Sequence, residues 1–440
     1  MGEFPIRCRK STRLHQMISA LVPKRIIIAL ILVFASQLLL PAIDPVRDWP
    51  AWRGPQGNGS AFPNQEIPQV WSETDNVLWK VPISGRGHSS PTIVGNRLYL
   101  TTADVGKQEQ RIHCLDCQTG QEIWQTVVHT GNLNKGGNRR TSQASSSVSC
   151  DGNRLYINFL NKDAVYSSAL DLDGKIIWQK KICDFETHQG FGSSPLIYNH
   201  LILISADHRS GGKMTALDAK TGKTVWSHSR PALANYTSPA LLNAAGRDQV
   251  LLSGANLISS FEPLTGKLLW QITGSTTECV VTMVTDGERV FSGGGYPKNH
   301  TVAIEADGSG RIAWKNSSRV YVPSMLVKDD YLYAVMDAGF AVCWKSDTGK
   351  EMWKERLGGE FYASPVLMGN LIYSVNVRGR IFVFTTDPNE FKLIAENQLG
   401  DEVYSSPVIC GNRFYLRVAD MKNDRRQEYL YCIGRKSSAL

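Results

Sequence analysis

The 440-residue sequence has no adjacent pair of cysteines, no second C-x-x-C beside Cys114-Leu115-Asp116-Cys117, and no basic stripe beyond its first 25 residues. The first absence excludes a vicinal disulfide and the second a four-cysteine zinc site. The third excludes the electrostatic footprint of a nucleic-acid binder. The formal charge of +8 is concentrated at one end. Residues 1–25 carry six Lys/Arg against Glu3, a net +5, which leaves +3 for the remaining 415 residues. Also missing are G-x-S-x-G, H-E-x-x-H and a phosphate-binding glycine loop, since no Lys-Ser/Thr follows Gly293-Gly294-Gly295. No stretch after residue 43 carries the 3.6-residue apolar period of an amphipathic helix.

One long apolar run is present. Ile26–Ile43 holds no charged residue and is preceded by Lys24 and Arg25. Eighteen apolar residues suffice to cross a bilayer, and flanking cations stay on the cytoplasmic side. The run reads as an N-terminal transmembrane or signal helix. Uncleaved, it makes the protein single-pass in a bacterial inner membrane with its body in the periplasm. The alternative is secretion to the periplasm after cleavage near Val33-Phe34-Ala35. The expected organisation is a basic cytoplasmic N-terminus (1–25), an anchor or signal segment (26–43), an extended lead-in (44–76), a folded body (77–434) and a short tail (435–440).

The body is built from a repeat. In Leu217-Asp218-Ala219-Lys220-Thr221-Gly222-Lys223-Thr224-Val225-Trp226 a tight turn joins two strands, with Trp four residues after Gly. The same offset recurs at Trp124, Trp178, Trp270, Trp314 and Trp353, and Trp79 has the local setting without the preceding Thr-Gly. A second element alternates with it: Ser-Ser-Pro, an apolar alternation, a Gly-Asn or Asp-Gly turn, and an aromatic strand. Starts of this element fall near residues 90, 147, 194, 238, 282, 324, 364 and 406. Four short strands per unit, a period of about 40–55 residues and eight units predict an all-β, eight-bladed β-propeller with four-stranded antiparallel blades. The chain opens on a Trp strand and ends on three strands, so Trp79 is expected to complete the blade of residues 405–433.

The Ser-Ser-Pro…Ala-Leu-Asp…Thr-Gly…Trp unit resembles the repeat of the pyrroloquinoline-quinone (PQQ) dehydrogenases and their relatives, over roughly residues 77–434. The resemblance implies the propeller fold and two functional branches. One is enzymatic, the quinoprotein alcohol dehydrogenases; the other is non-catalytic, typified by BamB-type scaffolds. The lead-in Trp49-Pro50-Ala51-Trp52-Arg53-Gly54-Pro55 is similar to openings of bacterial PQQ-like repeat proteins. The enzymes' paired-cysteine disulfide, calcium ligands and catalytic Asp find no positional match here, and neither does the lipid-acceptor Cys of BamB-type lipoproteins.

Weighed residue by residue, most conspicuous positions read as structural. The seven Trp (Trp79, Trp124, Trp178, Trp226, Trp270, Trp314, Trp353) share one repeat position and are expected to dock between blades. Cys114 falls in a column of small residues with Ala169, Ala216, Ser260, Ala303 and Cys343, a packed strand position. The acidic column Asp116, Asp171, Asp218, Glu262 and Glu305 adjoins the turns and is expected to accept backbone N–H groups. The segments joining each Trp strand to the next Ser-Ser-Pro element differ, and the repeat places them all at one mouth of the channel. They supply the candidate binding residues Arg86, His88, Arg139, Arg140, His188, Phe191, Tyr236, Glu278, Tyr321, Tyr362 and Tyr404. No catalytic or metal site is assigned.

The expected function is a membrane-tethered, extracytoplasmic binding or protein-interaction scaffold without catalysis. It needs no cofactor, and its mouth takes a protein, a peptide or a small anionic ligand. The alternative is a PQQ-dependent oxidoreductase acting on alcohols or sugars with calcium. Replacing Lys24 and Arg25 by Glu should weaken or invert the topology. A reporter fused after Leu440 measures this, and cytoplasmic activity of the unmutated fusion would refute the tether.

Overall fold

The computed structural model describes residues 43–133, 140–423 and 425–436. The apolar run and basic segment read as an N-terminal helix lie outside these residues, Ile43 excepted, as does Arg139. Among the described residues no helix is long and apolar enough to cross a membrane.

Turn chemistry divides the body into eight four-stranded antiparallel sheets, as the eight repeats predict. Blade 1 comprises Thr92–Val94, Arg97–Asp104, Glu109–Asp116 and Glu122–Thr130, from the channel outward. Blades 2 to 7 follow at 149–184, 196–230, 240–273, 284–316, 326–356 and 366–398. Blade 8 takes three strands from the C-terminal region, Val408–Cys410, Arg413–Lys422 and Arg425–Ile433. Its outermost strand is Val77–Ile83, which pairs antiparallel with Arg425–Ile433. Trp79 thus sits opposite Cys432 and closes the ring.

The small-residue column has a direct cause. Cys114, Ala169, Ala216, Ser260, Ala303, Cys343 and Cys432 are the cross-strand partners of the seven Trp. A larger side chain there would occupy the space of the indole. In blade 7 the pair is Val383 and Ala395, so the degenerate Trp position holds Ala.

Each indole reaches the next blade. Trp79, Trp124, Trp178, Trp226, Trp314 and Trp353 donate Nε1–H to the carbonyls of Cys117, Leu172, Ala219, Pro263, Ser346 and Asp387, at 2.7–3.2 Å. The rings of Trp79, Trp124, Trp178, Trp226 and Trp314 lie on the turn glycine of that blade, whereas Trp353 meets Phe384 and Phe391 of blade 7, whose turn has no glycine. A Cβ on Gly222, at φ +69°, would stand 2.7 Å from the Trp178 ring. The recurrent spacing therefore satisfies two needs, a left-handed backbone and a flat seat for an indole. Trp270 uses a relay: it donates to Gln249 Oε1 at 2.8 Å, and Gln249 Nε2 donates to Ala306 O of blade 5 at 3.1 Å.

Asp116, Asp171, Asp218 and Glu262 each accept backbone N–H bonds from their own turns. The eight described cysteines are free thiols. Burial pushes Cys114 up to about 12 and raises Cys117, so neither offers a thiolate at neutral pH.

The second serine of Ser-Ser-Pro has a role that the repeat did not disclose. The backbone N–H of Ser90 donates to Ser147 Oγ, Ser147 to Ser194, and Ser194 to Ser238. Thr282 continues to Ser324, Ser324 to Ser364, Ser364 to Ser406, and Ser406 back to Ser90. Hydroxyls thus stitch the inner strands around the channel. The gap between Ser238 and Thr282 is occupied by the lead-in, whose Trp52 Nε1 donates to Thr282 Oγ1 at 2.8 Å.

The lead-in, expected to be an extended tie, is a plug. It begins beside the far-face turns, where Gly411 N donates to Val46 O and Gly95 N to Asp48 Oδ1. Trp49 bridges Ile93, Pro50 O accepts from Cys150 N, and Trp52 reaches the neck of the channel. The chain reverses at Arg53 (φ 68°) and Gly54 (φ 81°). It returns as Ser60–Ala61, a fifth strand parallel to Val366–Met368 of blade 7. Arg53 is 3% exposed and donates to the carbonyls of Met325, Pro365 and Asn58. Burial lowers its guanidinium to about 9.

Trp79→Ala should cost about 3–5 kcal/mol, the range for buried aromatic truncations, because it removes the indole seat at the closure. Gly120→Ala, whose Cβ would lie 2.8 Å from Trp79 at φ +73°, should be destabilising at the same interface. Urea midpoints of both variants test this.

Candidate functional site

At the mouth opposite the far-face turns, the segments that enter each innermost strand enclose a cavity of about 330 Å³. Its walls include His88, Arg140, Phe191, Tyr236, Tyr321, Tyr362 and Tyr404, seven of the candidate residues. Its floor is Trp52 with hydroxyls of the serine ring, among them Ser194, Ser238, Thr282, Ser364 and Ser406.

Two arcs of side chains build the walls. In the first, the His88 ring stacks on Tyr404 at 4.5 Å and 24°. Tyr404 lies 5.9 Å from Tyr362. Arg140 sits over the Tyr362 ring at 5.5 Å, donates to its hydroxyl, and pairs with Glu360 at 3.0 Å. In the second arc, Tyr321 donates to Glu278 Oε2 at 3.1 Å, and His188 Nε2 lies 3.4 Å from Glu278 Oε1. Tyr321 is fixed further by its backbone N–H on Asp337 Oδ2 at 2.8 Å. Burial raises the Asp337 carboxyl and the Tyr236 and Tyr321 phenols.

Three candidates stand apart from the cavity wall. Arg86 pairs through its backbone with Ala103, behind His88. His188 and Glu278 buttress Tyr321 from outside the lining. Burial, reinforced by the positive charges of Arg86, Arg417 and Arg426, holds His88 well below the usual imidazole range, so its ring is neutral.

The mouth carboxylates do not gather. Glu186 accepts from Ser210, Glu278 from Tyr321, and Glu360 and Glu402 pair with Arg140 and Arg426. Among the described residues no group of three or more His, Cys, Asp or Glu is placed to hold a metal ion.

One catalytic-looking relay appears elsewhere. Thr102 Oγ1 lies 2.8 Å from His113 Nε2, and His113 Nδ1 lies 2.7 Å from Glu122 Oε2. Thr102 is fully buried and lines no described cavity, so no substrate reaches its hydroxyl. The relay satisfies a buried imidazole.

Sequence reasoning missed Trp52 and the serine floor. Two signals were available: an isolated Trp-Pro-Ala-Trp in a polar lead-in, and a second serine kept in most repeats although Pro alone would mark the strand start.

Eight closed blades with interblade indole docking define a β-propeller of the PQQ-like repeat class. A family model described as outer membrane protein assembly factor BamB matches residues 108–355 and 298–390, and the chain belongs to that family. BamB of Burkholderia pseudomallei (strain K96243) is 27% identical over 376 residues, 81% of this chain and 87% of that protein. The crystal structure of BamB from Moraxella catarrhalis aligns with a TM-score of 0.59 at 14% identity, covering 83% of this chain and 99% of that one. A europium-containing methanol dehydrogenase aligns with a TM-score of 0.65 at 12% identity, covering 89% and 98%. At these identities the two structures share the fold alone.

His88 and His129 generate a pH dependence. His129 is lowered to about 4 by burial, with a further push from Lys162. In the unfolded chain both take up a proton near pH ~6.5, whereas the folded protein resists until lower pH. The unfolded state then binds more protons, so stability is complete above about pH 6.5 and falls as pH drops below it. His129→Phe should flatten the fall between pH 6.5 and about 4, as read from urea midpoints.

Proposed function

We propose that this protein is an extracytoplasmic PQQ-like propeller acting as a binding or protein-interaction scaffold, with no chemistry of its own. Membership of the BamB family supports this reading, since its named members are assembly factors. The observation that carries it is the state of the mouth carboxylates. Among the described residues each is committed to its own hydroxyl or guanidinium, which weighs against calcium ligation, a geometry that draws six to eight oxygens to 2.3–2.6 Å. The described residues at the mouth are a poor fit to a PQQ–calcium centre, and no reaction step is assigned to one.

The apolar run 26–43 completes the proposal as a single-pass tether in the inner membrane or a cleaved signal, with the propeller in the periplasm. The partner at the mouth is a protein, a peptide or a small anion. The quinoprotein reading draws support from the fold shared with a methanol dehydrogenase and from a 167-residue match, 26% identical, to a quinoprotein alcohol dehydrogenase of Pseudomonas putida.

Dye-linked dehydrogenase assays with added PQQ and calcium, on alcohols and sugars, should give no activity above the protein-free control. Activity that needs both additions and is lost in Glu278→Gln would overturn the scaffold reading in favour of the enzyme.

A further inference from the structure

The floor of the mouth cavity has an unusual hydrogen-bond balance. All eight hydroxyl oxygens of the ring accept a bond: seven serines from a neighbouring backbone N–H, and Thr282 from Trp52. None of these hydroxyls donates to an acceptor among the described residues. Five of them, Ser194, Ser238, Thr282, Ser364 and Ser406, line the cavity; each still offers its proton beside one remaining lone pair, and a hydroxyl already accepting is polarised toward donation.

The walls favour the same sign. Among the described residues that line the cavity there is no Asp or Glu, and Arg140 is the one residue with a permanent formal charge. His88 Nε2 is a buried atom with no hydrogen-bond partner among the described residues. Beneath the floor lies the buried Arg53 guanidinium, which is held by carbonyls and has no carboxylate in contact among the described residues. The lining also carries flat surfaces: the Trp52 indole below, and the rings of Phe191, Tyr321, Tyr362 and Tyr404 around. A volume of about 330 Å³ lies in the range of small-molecule sites.

We propose that the mouth cavity binds a small organic monoanion with a flat ring body, which seats on Trp52 and directs its carboxylate or equivalent group to the hydroxyls of the serine ring. The inference rests on the reading of the mouth as a binding face and names the ligand class. A cation is rejected because the cavity offers it donors and no carboxylate. A polyanion is disfavoured because Arg140, the one charged wall residue, already shares its guanidinium with Glu360. Trp52, delivered from the far face by the plug, becomes a binding residue, and an intact plug becomes a condition of the site.

The test is titration of the full chain with 2-naphthoate, its neutral isostere 2-naphthamide, and 2-naphthylmethylammonium, followed by equilibrium dialysis and tryptophan fluorescence. Naphthoate should saturate one site, about tenfold tighter than the amide, as a charge-assisted bond gives, and the ammonium should not saturate. Trp52→Phe should remove the ligand-dependent fluorescence change. Arg140→Gln, at the exposed rim and harmless to folding, should narrow the gap between naphthoate and amide. Ammonium binding as tight as naphthoate, or no saturable binding of any probe, would overturn the inference. Dye-linked activity with PQQ and calcium would instead overturn the non-catalytic reading and leave the naphthoate–amide preference standing on its own measurement.

Discussion

The propeller depends on one repeated contact, an indole laid on the turn of the following blade, at five of the seven Trp directly on its glycine. Each sheet alone is four short strands with an apolar face that only the neighbouring blade covers. The Trp covers that face, and its Nε1–H, which would otherwise be buried without a partner, finds a carbonyl of the next blade. At five interfaces glycine is required because a Cβ would enter the indole, and a small residue stands opposite each Trp where a larger one would displace it. Three sequence columns thus express a single steric condition. Trp270 shows which part of the condition is flexible: Gln249 can carry the hydrogen bond across, but the ring stays at the interface.

The channel is organised from within by a different contact. Backbone N–H groups at the start of each inner strand lack partners inside their own sheet, and the next blade's hydroxyl takes them. This fixes the inner radius without filling the lumen. The lead-in fills it from the far face, and Trp52 replaces the missing ring bond at Thr282. The same residues that complete the scaffold therefore shape the floor of the mouth cavity.

The fold was legible because its determinants repeat. Trp, Gly, the small residue and the turn acid recur at fixed offsets, and repetition separates packing from chemistry, as with Asp116 and Cys114. The mouth was legible only as a set of segments. That His88 meets Tyr404 and Tyr362 meets Arg140 depends on loop conformations with no periodicity to read. Trp52 escaped notice because nothing in residues 44–76 resembles a blade, and its partner lies 230 residues away. Glu278, grouped with the binding residues, stands behind the wall as the acceptor for Tyr321.

Closure by the strand Val77–Ile83 also constrains the order of folding. Ile83 receives a hydrogen bond from Gln427, 344 residues later. During synthesis the plug and the closing strand emerge first and then wait for blade 8. Blades 1 to 7 can dock in sequence, each on its predecessor, while the ring remains an open arc with two unpaired edges. The last event is the meeting of the two ends, a contact of very high sequence separation and hence slow. A protein exported as it folds would spend that interval with its N-terminal edge strand available to any chaperone that binds extended chain.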